Sequence, residues 1–109
     1  MQMTRPTLQL RARFFHGLAE PARLAILDVL RNGPRPAGEI AAASGLTSSN
    51  ASRHLACLRD CGLVTSRQEW RTVEYALANG VAAWLDETDR FIASVAERIA
   101  ACDRPEMGP

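Results

Sequence analysis

The chain has 109 residues, 47% of them apolar and 23% charged, a length and balance that suit one globular domain and exclude a largely disordered chain. No apolar run approaches the ~20 residues of a membrane helix, and Met1–Pro6 carries no apolar signal core, so the expected compartment is a reducing cytoplasm, away from membranes. The net charge of +1 does not announce a nucleic-acid binder, yet all thirteen basic residues are Arg, whose planar fork matches phosphate oxygens and guanine edges better than Lys does; a composition rich in Ala, Gly, Pro and Arg together explains the same bias without any function.

Residues 1–7 read as a flexible arm. Leu10, Phe14, Phe15 and Leu18 recur at helical spacing and predict a first helix. Pro21 fits the first turn of a second helix, with Leu24, Leu27 and Leu30 as its buried stripe, ended by Asn32-Gly33-Pro34. A short third helix follows from about Glu39 to Ser44 and stops at Gly45. Thr47 is a good N-cap for a fourth helix that runs to about Cys61 and stops at Gly62. Two helices joined by a short Gly-containing turn describe a helix-turn-helix. Past Gly62 the period changes. Leu63 to Arg67 and Val73 to Leu77 read as two strands joined near Glu69, Trp70 and Arg71, a hairpin wing placed directly after the recognition helix. Val81, Trp84, Leu85, Thr88, Ile92, Val95 and Ile99 then form one stripe on a long last helix. A small domain does not cover such a stripe alone, so a homodimer through the first and last helices is expected. The predicted fold is mainly α with a small β-hairpin: a winged helix-turn-helix of order α-α-α-α-β-β-α over residues 8–102, with a polar tail at 103–109.

At ~100° per residue, Ala51, Leu55, Leu58 and Gly62 fall within about 60° of one another and form the buried face of the fourth helix. Its N-terminal turns carry small hydroxyls and one cation that suit base edges and phosphates of double-stranded DNA. Thr47, Ser48, Ser49, Asn50, Ser52 and Arg53 are therefore the candidate DNA contacts, joined by Arg67 and Arg71 on the wing. A solvated helix face satisfies Ser and Arg equally well; the surrounding helix-turn and wing favour DNA.

Three cysteines make an odd number, and in a reducing compartment they are buried fillers, redox thiols or metal ligands. Cys57 and Cys61 stand at i and i+4 on the fourth helix, one turn apart, so their sulfurs converge on one ion without bending the backbone. Thiolates prefer soft or borderline ions. One helix supplies only two such ligands, and the one cysteine left for a third is Cys102, at the end of the last helix, from the same or the partner subunit. His54 lies on the same flank, where a packed or capping histidine is expected over a fourth ligand. Three thiolates without a fourth protein ligand suit Cd(II), Pb(II), Hg(II) or trivalent arsenic better than Zn(II), whose structural sites take four. A cysteine-based enzyme using Cys57 with His54 lacks an orienting acid and an oxyanion hole, so no catalytic residue and no enzymatic activity are expected.

From Phe15 to Leu77 the chain resembles the ArsR/SmtB repressors, through "LAEPARLAILDVL" (Leu18–Leu30), "GEIAAASGLTSSNASRHL" (Gly38–Leu55) and "GLVTSRQEWRTVEYAL" (Gly62–Leu77). The paired cysteines of "SNASRHLACLRDCGLV" (Ser49–Val64) resemble those of a cadmium- and lead-sensing subgroup, and Cys102 matches its C-terminal cysteine. The resemblance implies a dimeric repressor that holds operator DNA when metal-free and lets go when Cd(II) or Pb(II) binds, with no metal needed for folding. Two positions depart from the family pattern. Glu20 replaces the usual Asp before Pro21, a poorer cap, and Trp70 replaces the usual wing-tip Gly, where positive φ is badly tolerated. The same cysteines also allow a redox-switched repressor of the same fold.

Overall fold

A computed structural model describes residues 4–102 in two compact units, one ending at Ala78 and the other beginning at Asn79. The expected tail at 103–109 and the first three residues of the expected arm lie outside the described residues. Among those described, no helix is long and apolar enough to cross a membrane.

The first unit opens with α1 (Leu8–Leu18), capped by Thr7, whose hydroxyl accepts from the Leu10 N–H at 3.1 Å. α2 (Pro21–Leu30) starts with Pro at its first position, where the missing N–H costs nothing. Its N-cap Glu20 reaches the Ala22 N–H at only 3.5 Å, which is a long bond. Glu20→Asp is therefore expected to raise unfolding stability by about 0.5–1 kcal/mol. Chemical denaturation checks it, and an unchanged midpoint would contradict it.

The helix-turn-helix comprises α3 (Ala37–Ser44) and α4 (Ser48–Asp60). α3 ends in a Schellman arrangement. Gly45 takes φ +70°, its N–H bonds the Ala42 carbonyl, and the Leu46 N–H reaches the Ala41 carbonyl at 2.9 Å. α4 ends the same way, with Gly62 at φ +80° and the Leu63 N–H on the Leu58 carbonyl at 3.0 Å. The Thr47 hydroxyl accepts from the Asn50 N–H at 3.2 Å, as an N-cap should.

The wing consists of β2 (Val64–Glu69) and β3 (Thr72–Leu77), paired antiparallel from Val64↔Leu77 to Glu69↔Thr72. Sequence periodicity missed a third strand. β1 (Arg35–Pro36) adds to the far side of β3 in the order β1-β3-β2, with Arg35 opposite Tyr75 and Pro36 opposite Glu74. Two residues carry no period, and Pro is tolerated because an edge strand leaves one side unbonded.

The core of this unit is Ile26, Leu27 and Leu30 of α2, Ile40 and Ala41 of α3, Ala51, Leu55 and Leu58 of α4, and Leu63 and Val64 at the start of the wing. The predicted α4 face is thus the buried one. The expected α2 stripe needs correcting at its first member. Leu24 is 44% exposed, and Ile26 takes the buried place.

The second unit holds α5 (Val81–Ser94) and α6 (Ala96–Ala101). The single long helix expected here breaks at Val95, which takes φ −120° and ψ 14°. The Ser94 hydroxyl donates to the Phe91 carbonyl at 2.6 Å, and the Val95 N–H turns back to the Ile92 carbonyl. Local side-chain bonding of this kind competes with the α-helical ladder.

Val81 and Leu85 are buried, whereas Phe91, Ile92 and Ile99 are exposed, as are Leu8, Leu10 and Phe15 of α1.

Candidate nucleic-acid interface and thiol groove

α4 presents two surfaces. Ser48, Ser49, Ser52 and Arg53 are exposed over its first two turns, with Asn50 half-buried beside them. The Arg53 guanidinium donates to the Asn50 amide oxygen at 2.7 Å. This exposed bond adds little stability, but it holds a fork and an amide side by side, the two groups best suited to guanine and adenine edges.

On the wing, Arg67 is paired with Glu69 at 2.9 Å. Arg71 stacks on the Trp70 indole at 4.9 Å. The eight residues singled out for DNA contact therefore lie on the exposed N-terminal part of α4 and on the wing, and one of them, Arg67, already has a carboxylate partner.

The second surface of α4 faces α1. Cys57 and Cys61 are free, exposed thiols that both line an open groove of about 1020 Å³, together with Leu10, Arg13, Phe14, Gly17 and Arg23. Cys57 lies in the last full turn of α4, and Cys61 is its C-cap. Cys102 is the C-cap of α6 and is also exposed. Among the described residues, no three His, Cys, Asp or Glu side chains gather into a metal-binding group. The structure thus brings two of the three expected ligands to one groove of the first unit, while the third, Cys102, belongs to the second unit.

His54 is not set up as a ligand through Nδ1. That nitrogen accepts from Arg23 Nε at 3.2 Å, while Arg23 Nη1 donates to the Gly17 carbonyl at 2.9 Å. One guanidinium thus ties α4 to the C-terminal turn of α1, a link that sequence reasoning did not find because Arg23 and His54 are 31 positions apart.

The model of the bacterial regulatory protein arsR family matches residues 20–66. The chain is 43% identical over 104 residues, 88% of each chain, to the HTH-type transcriptional regulator CmtR of Mycobacterium tuberculosis. The NMR structure of that organism's cadmium metal-sensor CMTR superposes with a TM-score of 0.61 at 49% identity, covering 70% of this chain and 80% of the other. A probable mercury resistance operon repressor of Streptomyces lividans is 36% identical, over 84% of this chain and 72% of its own. A homodimeric winged helix-turn-helix DNA-binding domain from Mycobacterium bovis superposes with a TM-score of 0.70 at 32% identity, covering 85% of this chain and 92% of the other. These matches bear out the winged-helix fold expected from the sequence, and the chain belongs to the ArsR family of bacterial transcriptional regulators, a family of DNA-binding proteins and not of enzymes.

Proposed function

We propose that the protein is a cytoplasmic, homodimeric, metal-responsive repressor. It holds operator DNA when metal-free and releases it on binding a thiophilic ion, Cd(II) or Pb(II) first and Hg(II) or trivalent arsenic next. The observation that carries this reading is that Cys57 and Cys61 line one groove on the helix whose opposite end carries Ser49, Ser52 and Arg53. Ion capture and DNA contact then act on a single rigid element, and by linkage each weakens the other by the same factor.

The third sulfur is assigned to Cys102 of the partner subunit. The exposed apolar side chains of α1 and of α5–α6 are what a dimer would cover, and Cys102 ends a separate short helix that begins after the break at Val95. A cadmium metal-sensor and a probable mercury resistance operon repressor among the related proteins support the ion class.

On the wing, Arg71→Ala is expected to weaken binding of all sequences alike and to lower the salt slope by about 1. Arg67→Ala should do less, because Arg67 must first exchange Glu69 for phosphate. Affinity measured across a salt series checks this, and equal slopes for Arg71→Ala and the unaltered chain would contradict it.

A second reading, redox switching, is favoured by the exposure of all three thiols. The two are separated by one experiment on a duplex that the reduced protein selects from a random-sequence pool. The metal reading expects Cd(II) to lower affinity by about 5–150-fold in fluorescence anisotropy. Release by peroxide in chelator-treated protein, with no response to Cd(II), would establish the redox reading instead.

A further inference from the structure

The wing tip carries the one non-glycine residue with positive φ among those described, Trp70 at φ +56°. It occupies the first position of a two-residue hairpin loop between Glu69 and Thr72. A tight hairpin turn that needs positive φ there is normally given Gly. A bulky aromatic in this conformation is strained and persists only where its surroundings over-determine it.

The surroundings do so here. The Gln68 side-chain amide donates to the Trp70 carbonyl at 2.8 Å, and the Thr72 hydroxyl donates to the Glu69 carbonyl at 3.2 Å. The indole is nevertheless 85% exposed. Among the described residues its ring contact is the Arg71 guanidinium at 4.9 Å. The turn thus spends strain to hold an apolar plate and a cation together in solvent.

We infer that Trp70 is a minor-groove wedge and a determinant of DNA specificity, a role that rests on the DNA-binding reading above. Each six-residue strand of the wing extends roughly 20 Å, close to the ~17 Å of half a helical turn of DNA that separates a major groove from the next minor groove. With the first turns of α4 in the major groove, a wing fixed to the end of α4 by buried Leu63 and Val64 reaches the flanking minor groove with its tip.

A flat indole at the end of a two-residue loop is slim enough for a groove about 6 Å wide. Its faces meet the sugar walls and unstacked base edges, while the stacked guanidinium sits in the negative potential that is strongest over A·T-rich, narrow segments. The wedge therefore prefers A·T flanks free of the guanine amino group.

The test uses the full-length reduced protein and an A·T-flanked duplex that it selects from a random-sequence pool. Trp70→Gly, which relieves the backbone strain, and Trp70→Asn, which tolerates it, are both expected to fold and to bind about tenfold more weakly. Replacing the flanking adenines by 2,6-diaminopurine places an amino group in the minor groove and leaves the major groove unaltered. That change is expected to weaken the unaltered protein by about tenfold and the Trp70 variants by no more than about twofold. Saturation with duplex should quench indole emission in the unaltered protein and not in Trp70→Gly. If the unaltered protein binds duplex but the variants bind equally well, with the same response to diaminopurine, the wedge is wrong and the DNA reading survives. Failure of the unaltered protein to bind any duplex overturns both. Indole quenching that follows protein concentration without DNA and is absent from Trp70→Gly, which keeps Trp84 on α5, would make the tip a protein contact and overturn the wedge.

Discussion

Cys57→Ser and Cys61→Ser will each bind Cd(II) at least about 100-fold more weakly than the unaltered protein, since even second-shell changes at metal sites cost 10–100-fold. A serine hydroxyl is a harder donor that stays protonated, so two sulfurs remain where three are proposed. Both thiols are exposed, so neither substitution opens a cavity, and stability should move by no more than about 0.5 kcal/mol. Cd(II) should then fail to release DNA from either variant, although each still binds it. Thiolate-to-metal absorption in the ultraviolet reads the first effect and anisotropy the second. An unchanged absorption band in Cys57→Ser would show that the groove between α1 and α4 is not where the ion binds.

The second large effect falls on the other end of the same helix. Arg53→Ala is expected to weaken operator binding by about 1–3 kcal/mol and to relax specificity at one base position. Asn50→Ala removes the acceptor that orients Arg53 at 2.7 Å. It should therefore reproduce part of the Arg53→Ala loss, and the double variant should lose less than the sum. Competition against single-base variants of the selected duplex measures this. Strict additivity would show that Asn50 does not orient Arg53, and a uniform loss over all sequences would make Arg53 a phosphate contact.

Much of this molecule is legible in its sequence because local rules and tertiary packing agree there. Thr47 caps α4 and Gly45 and Gly62 end helices for reasons contained within a few residues. The face of Ala51, Leu55 and Leu58 follows from periodicity alone. The misreadings have equally physical origins. β1 is too short to carry a pattern and exists only because β3 offers an edge. The break at Val95 coincides with a Ser94 hydroxyl bonded to the Phe91 carbonyl, which apolar spacing does not register. Leu24 belongs to a helical stripe by spacing, yet a short helix buries a narrower face than its apolar residues would allow.

The candidate sites divide along the same line. The i, i+4 spacing of Cys57 and Cys61 fixes their common groove because one helix carries both. Cys102 joins them only through a second subunit in the reading proposed here, and no local rule in one chain encodes a contact between two. The Arg23 link to His54 and Gly17 is likewise a tertiary fact. At Trp70 the sequence announces a conflict with the turn, and the structure resolves it in favour of the turn, with the indole outside.

The proposed switch requires a third sulfur to join the groove when the ion arrives. X-ray absorption of the Cd(II)-loaded dimer counts the sulfur atoms around the metal. Three sulfurs are expected in the unaltered protein and two in Cys102→Ser. A shell of two sulfurs in the unaltered protein, unaltered by Cys102→Ser, would contradict it.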